Sequence, residues 1–359
     1  MTASGSPEFS LLVSCCRWNF ANADPGQRPE LPSGVDWTRF VGLARFHRVQ
    51  GLAWSALAQL ADGVPHDVRR ALSSDAKAIA ATNMAIAREC GQLRDDFGRA
   101  GTALLFIKGL TVGALAYRSP LLKMGWDIDL LIDPRDLDSA AGVLTARGYS
   151  LRLPAKRTQL RSWHERSKES VWHQDGSLYV ELHTGLADNR QLIPTLDVHS
   201  PTELVEAAPG MALPTLAHDE LFAYLAVHGA SSAWFRLKWI SDFAALIHGG
   251  RPEEIERLYR RSQELGAGRA AGQALLLADL LFDALQTLPE LRTRLGLDRP
   301  TRMLCNAALR MVAEGERDPT EKLLGTFAIH WTQFLLMPRL GYKLSELRRQ
   351  AGLLTRRLH

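Results

Sequence analysis

Two aspartates, Asp127 and Asp129, lie in the segment Gly125-Trp126-Asp127-Ile128-Asp129-Leu130-Leu131-Ile132. The segment reads as a strand, in which alternate side chains share a face. Both carboxylates then point one way, while Ile128, Leu130 and Ile132 point toward a core. Carboxylates sharing a face repel each other unless a cation or hydrogen-bond donors lie between them. Hard divalent cations take oxygen ligands of this kind, completed by substrate phosphates and water. A second alternating run, Leu178 to His183, puts Glu181 and His183 on one face. If the two strands are neighbours, Glu181 completes an acidic cluster. Lys108-Gly109 ends an earlier apolar run, Ala103 to Ile107. Glycine lets the backbone approach a phosphate, and lysine neutralises its charge. Taken alone, an Asp-x-Asp pair fits a solvated strand edge equally well. What distinguishes it here is the order: strand, Lys-Gly, helix, Asp-x-Asp strand, helix, Glu-bearing strand.

These residues need elements to hold them. From Trp37 to about Ala100 the pattern is helical. Ile79, Ile86, Cys90, Leu93 and Phe97 recur at helical spacing and predict a long helix. Strand and helix interleave from about 100 to 185, with Asp133-Pro134 as a helix start and Gly148 as a stop. Helical patterns return from Leu216, with predicted helices opening at His218, over Ser232 to Ile247, and through 252–315. The expected organisation is a helical region over 1–99, an α/β core over 100–215 and a helical domain over 216–359.

The chain has 359 residues, 46% hydrophobic and 23% charged, which permits a packed core. A formal net charge of only +4 gives no reason to expect stable nucleic-acid binding. Cys15, Cys16, Cys90 and Cys305 lack zinc-site spacing, and a reducing cytoplasm is expected. The N-terminal pattern does not suggest a signal peptide, and no uncharged apolar run reaches the roughly 18 residues of a membrane span.

The stretch from Phe106-Ile107-Lys108-Gly109 through Asp127-Ile128-Asp129 to Val180-Glu181-Leu182-His183 resembles the uncharacterised nucleotidyltransferase family of the polymerase-β-like superfamily. The segment from His228-Gly229 to Trp234-Phe235-Arg236-Leu237-Lys238-Trp239-Ile240-Ser241-Asp242 looks like that family's helical motif. The resemblance spans about residues 100–250. It implies an α+β fold, with a small mixed sheet and helices as a polymerase-β-like core flanked by N- and C-terminal helical regions. It also implies Asp127, Asp129 and Glu181 as catalytic metal ligands for Mg²⁺ or Mn²⁺. It also places a nucleoside triphosphate near Lys108, Gly109 and the helix of Arg236, with Lys123, Lys238 and Asp242 as further candidate contacts; His183, two residues from Glu181, is read as contacting phosphate, positioning Glu181 or hydrogen-bonding within the sheet. There are two departures. Gly109-Leu110 stands where the superfamily usually has Gly-Ser. Lys123, with Arg118 further upstream, stands where the closer family often has arginine, and lysine lacks arginine's planar bidentate geometry.

Other features have two readings each. Lys238 and Asp242 are four apart and suit a solvated pair, or Lys238 reaches a triphosphate. The segment holding Trp163, His164, Trp172 and His173 among Arg157, Arg161, Arg166 and Lys168 is either a surface loop or a stacking platform. In the tail, Leu340, Leu344, Leu347, Ala351, Leu354 and Leu358 form one apolar stripe, with Arg348, Arg349, Arg356 and Arg357 off it. That helix is expected to pack on the protein's own helices, the alternative being an anionic membrane surface or a partner.

The expected activity is transfer of a nucleoside monophosphate from a triphosphate to an acceptor, with pyrophosphate release. The acceptor is open among small molecules, peptides, proteins and RNA. The alternatives are transfer of a phosphoryl or nucleotide-linked sugar group, and a degenerate member that binds nucleotide or a partner without turnover.

Overall fold

The computed structural model describes residues 5–24, 26, 28–174, 178–321 and 325–357, the last five of these in backbone only. Helices α1 (Pro7–Trp18), α2 (Trp37–Phe46), α3 (Gln50–Leu57) and α4 (His66–Arg99) come first. The mixed unit follows, with β1 (Leu105–Phe106), α5 (Leu110–Ala116), β2 (Asp127–Leu131), α6 (Leu137–Ala146), β3 (Ser150–Leu153), α7 (Leu160–His164), β4 (Glu169–His173) and β5 (Tyr179–His183). A hairpin, β6 (Thr202–Ala208) and β7 (Met211–Leu216), leads to α8 (His218–Ser231) and α9 (Leu237–Ile247). The chain closes with α10 (Pro252–Glu264), α11 (Gly268–Phe282), α12 (Pro289–Leu297), α13 (Arg299–Glu314), α14 (Phe327–Gln333) and α15 (Leu340–Arg357).

The sheet has the order β1-β2-β5-β4-β3 and is mixed. β2 and β5 run parallel, with Asp127 opposite Tyr179, Asp129 opposite Glu181 and Leu131 opposite His183. The other pairings in this sheet are antiparallel. The fold is therefore the expected α+β arrangement, a small mixed sheet with flanking helices. Alternation works as predicted: Ile128, Leu130, Val180 and Leu182 are buried in the core beneath the sheet with Ile86, Cys90, Leu93 and Phe97 of α4. That leaves the opposite face of β2 and β5 for the acidic residues. A larger core joins α1–α3 to α8–α13, from Phe9 and Phe40 to Phe243 and Leu275.

Several elements differ from the expectations. The apolar stretch at Phe9 belongs to α1, capped by the Ser6 hydroxyl, which accepts from the Phe9 amide. The helix expected over Ser232 to Ile247 starts only at Leu237. Ala233 and Trp234 have left-handed backbones, with φ of 46° and 55°, and break the helix there. The segment with Trp163 and Trp172 is neither a loop nor a platform. Trp172 is 1% exposed within the core, and the Trp163 Nε1 donates to the Glu169 carbonyl at 2.7 Å.

The tail helix docks by the face opposite to the one expected. Leu340, Leu344 and Leu347 are exposed, while Tyr342 and Glu346 are buried. The Tyr342 hydroxyl donates to the Gln333 carbonyl. Glu346 accepts from Asn189, Arg349 and Gln350. A polar face can be buried when its groups are all paired in this way. The side chains of Leu354, Leu358, Arg356 and Arg357 lie outside the described residues. Among the described residues no helix is long and apolar enough to cross a membrane.

Candidate active site

Asp129 and Glu181 are side by side because they share a register position on neighbouring parallel strands. His183, two residues on, shares their face. One ligand atom from each of Asp129, Glu181 and His183 falls within 4.8 Å of the others. Asp127 lines the same cleft but stands outside this compact trio, two residues earlier on β2.

The trio is wrapped in charge. The Lys108 Nζ lies 2.7 Å from the Asp129 Oδ1, and the His183 Nε2 lies 3.1 Å from that oxygen. Burial opposes the Asp129 charge, but Lys108 and His183 outweigh it and hold the carboxyl well below its usual range. Burial likewise opposes the Lys108 charge, and Asp129 outweighs it, so the ammonium holds its proton more firmly than usual. Glu181 is shifted the other way: burial, with Asp129 nearby, raises it. His183 is raised as well, because Asp129 and Glu181 overcome its burial.

Local structure fixes each of these groups. Gly109 has φ of 68°, a left-handed turn that favours glycine, and sends the chain from β1 into α5. The Thr111 hydroxyl ties that turn by donating toward the carbonyls of Phe106 and Lys108, at 3.1 and 3.2 Å. Leu110, where the resemblance led to the expectation of serine, is 6% exposed and packs beneath the sheet.

A cleft of about 250 Å³ opens over these residues. Lys123 and Lys238 line its far side, together with Asp242 and Arg48. The loop carrying Lys123 hangs on buried Asn83 of α4, whose Nδ2 donates to the carbonyls of Pro120, Leu121 and Lys123. Asp242 does not form the solvated pair with Lys238 that was one of the two readings of their spacing. It is 5% exposed, accepts from the Tyr117 hydroxyl at 2.9 Å and lies 3.3 Å from the Lys123 Nζ. Lys238 is drawn down to about 7 by burial and by the neighbouring Lys123 and Arg48. Val112, Leu225 and Trp239 supply an apolar wall.

Two arginines singled out in the sequence lie elsewhere. Arg236 caps the start of α9 and stays out of the cleft. Its guanidinium donates to the Phe46 carbonyl and to Asp318, and lies between the Phe46 and Phe235 rings. It fastens α9 to the end of α2 and does not line the cleft where the nucleotide contact was expected of it. Arg118 lies 4.8 Å over the Trp18 ring and donates to the Ala23 carbonyl.

Three charged residues of the cleft lay outside the expected metal- and nucleotide-binding set. Arg48, between α2 and α3, has a left-handed φ of 57° and sits 5.9 Å over the exposed Trp126 ring. Such backbones concentrate at functional sites. No pattern in the helical stretch around Arg48 marks it out. Glu169 and Lys168 precede the core of β4, where Glu169 pairs in register with His183. The alternation of Glu169, Val171 and His173 against buried Ser170 and Trp172 carried the signal for Glu169, once that run is read as a strand. Lys168 lies 3.6 Å from Glu169 and 3.7 Å from Asp188. His228 also lines the cleft, and burial with Lys108 and Lys168 nearby keeps it neutral.

A divalent cation fits these residues. Asp129, Glu181 and His183 gather donor atoms of the right kinds, and Asp127 adds a carboxylate at the rim. The family model described as uncharacterised nucleotidyltransferase matches residues 33–283. The match extends beyond the segment 100–250 to take in α2 to α4, the source of Arg48 and Asn83, and α10 to α11. No curated protein matches the chain.

Proposed function

The chain belongs to the uncharacterised nucleotidyltransferase family, and from that premise we propose that it moves a nucleoside monophosphate from a triphosphate to a hydroxyl- or phosphate-bearing acceptor. The observation that carries this reading is the register pairing of Asp129 with Glu181 beneath a cleft walled by Lys123, Lys238 and Arg48. Five lysine and arginine side chains and five carboxylates line that cleft among the described residues. Divalent cations added to this balanced set suit the negative charge of a polyphosphate.

Asp127, Asp129 and Glu181 would hold Mg²⁺ or Mn²⁺, which when bound neutralises phosphate charge and acidifies an acceptor hydroxyl. Lys108, which pairs with Asp129, would be freed to bind the phosphates where a cation takes over the charge of that carboxylate. Lys123, Lys238 and Arg48 grip the β- and γ-phosphates, and Asp242 with Tyr117 keeps Lys123 in place. The acceptor oxygen bonds to the α-phosphorus, the bond from that phosphorus to the bridging oxygen breaks, and pyrophosphate leaves. Glu181, whose carboxyl holds a proton more readily than usual, takes the acceptor proton on the carboxylate oxygen that does not hold the ion. The walls of Val112, Leu225 and Trp239 limit water in the cleft.

The test is incubation of the protein with α-labelled nucleoside triphosphates, Mg²⁺ or Mn²⁺, and a lysate of its source. A labelled product heavier by one nucleoside monophosphate, absent with Asp127→Ala, is expected. A product of a different mass gain, or label transfer undiminished in Asp127→Ala, overturns the reading.

A further inference from the structure

His183 has no part in the chemistry above, and its surroundings are unusual. It is 1% exposed, and both ring nitrogens face carboxylates. The Nε2 lies 3.1 Å from the Asp129 Oδ1 and 3.6 Å from the Glu181 Oε2. Two ligand atoms on one ion, each about 2.1 Å from it, stand roughly 3.0–3.4 Å apart in octahedral or tetrahedral geometry. The separation of His183 from Asp129 already falls in that range, that from Glu181 lies a few tenths of an ångström above it, and all three ligand atoms lie within 4.8 Å of one another.

The far side of the ring points the same way. The Nδ1 lies 3.3 Å from the Glu169 Oε2, and neither atom has a hydrogen-bond partner of good geometry although both are buried. Metal-bound histidines commonly present their other nitrogen to a carboxylate, which fixes the tautomer and leaves the ligating lone pair free. Register explains how the chain achieves this. Glu169 faces His183 across β4 and β5, and Glu181 faces Asp129 across β5 and β2.

We propose that His183 Nε2 is a ligand to the ion held by Asp129 and Glu181, with Glu169 as its outer carboxylate, giving a mixed nitrogen–oxygen site that prefers Mn²⁺ to Mg²⁺. Imidazole suits transition ions, whereas Mg²⁺ favours oxygen and keeps its waters. The proposal rests on the reading of this cleft as metal-dependent, and its test separates the two.

Full-length, metal-stripped protein is titrated with Mn²⁺ and followed by electron paramagnetic resonance. Pulsed measurements then look for ¹⁴N coupling to the bound ion. Wild type should bind Mn²⁺ at least about tenfold tighter than Mg²⁺ in competition and show an imidazole nitrogen. His183→Gln should lose the nitrogen signal. Glu169→Gln should keep it, with Mn²⁺ affinity about 10–100-fold weaker. His228→Gln, which alters the other histidine lining the cleft, should keep signal and affinity. Mn²⁺ bound to wild type without nitrogen coupling overturns the proposal alone, whatever the variants do. Coupling that survives His183→Gln, or vanishes only in His228→Gln, overturns it too. No Mn²⁺ binding, with or without nucleotide, overturns both this proposal and the metal-dependent reading beneath it.

Discussion

The Lys108 ammonium and the Asp129 carboxylate meet at 2.7 Å on the largely buried floor of the cleft. The ammonium meets the same oxygen that lies 3.1 Å from His183 Nε2, so it offsets the charge of a buried carboxylate that a cation would also offset. Asp129, with its lowered pKa, contributes stability above its unfolded value of about 3.9 and loses it as pH falls through the folded value. Lys108, with its raised pKa, contributes below about 10.4 and loses it as pH rises through the folded value. Their joint contribution is therefore steady from about pH 4 to about 10.

Lys108→Met should leave Asp129 buried without its ammonium, at a cost on the order of 3 kcal/mol. Added Mn²⁺ should then raise the melting temperature more in the variant than in wild type, because it no longer competes with the lysine. Thermal melts with and without metal check this. An equal or smaller rise in the variant would remove Lys108 from the role of stand-in cation.

Asp127 and Asp129 should separate catalysis from stability. Asp127 has no ion pair among the described residues, whereas Asp129 is held by Lys108 and His183. Asp127→Asn is expected to cut transfer more than about a hundredfold while changing unfolding free energy by less than about 1 kcal/mol. Asp129→Asn should lose both activity and stability. Urea unfolding run beside the labelled-nucleotide assay reads the contrast, and equal stability losses would contradict it.

Nucleotide binding should tighten as pH falls through the neutral range. Lys238 sits near 7, depressed by burial and by Lys123 and Arg48, so its charged fraction grows below that pH. A triphosphate stabilises the charged form and should bind with proton uptake. Calorimetry between pH 6 and 8.5, in buffers of differing ionisation enthalpy, should show wild-type binding weakening and proton uptake growing as pH rises through about 7, whereas Lys238→Met should show no uptake there. Uptake persisting in Lys238→Met would assign the proton elsewhere.

Gly229→Ala should disturb the start of α9. A Cβ there would lie 2.3 Å from the Trp234 ring, which is fully buried. Overpacking of this kind costs about 1–3 kcal/mol. Because the turn at Trp234 feeds the helix bearing Lys238 and Asp242, nucleotide affinity should fall with stability. Unchanged denaturation midpoints would show that the ring relocates freely.

The two faces of α15 should respond oppositely. Leu344→Ser and Leu347→Ser lie on the exposed face and should change stability by under about 0.5 kcal/mol. Glu346→Ala removes a buried acceptor for Asn189, Arg349 and Gln350 and should cost on the order of 3 kcal/mol. Denaturant titration of the three variants distinguishes this docking from burial of the leucine stripe.

Local pattern was enough for whatever depends on neighbours in the chain. Alternation at Asp127 to Leu131 and Tyr179 to His183 gave two strands with carboxylates on one face and core residues on the other. Helical spacing gave α4, and the Lys108-Gly109 turn followed from residue type. The failures came where remote contacts decide. Arg236 and Lys238 are two residues apart, yet only Lys238 enters the cleft, because Phe46 and Asp318 take the arginine. Asp242 chose Lys123 and Tyr117 over the helical neighbour at four residues. In α15 the apolar stripe was legible, but not which face would dock, since that depends on polar partners at Asn189 and Gln333.

The opening pair has the same history. Sequence alone determined that Asp127 and Asp129 leave one face of one strand together, because backbone geometry fixes that locally. Tertiary structure alone decided that Asp129, and not Asp127, joins Glu181 and His183 in a compact cluster, and that Glu169 and Arg48 belong to the same cleft. The reason is physical: strand register joins Asp129 to Glu181 across the intervening chain, the closing of distant helices brings Arg48 and Lys123 to Lys238 and Asp242, and no local pattern encodes such approaches.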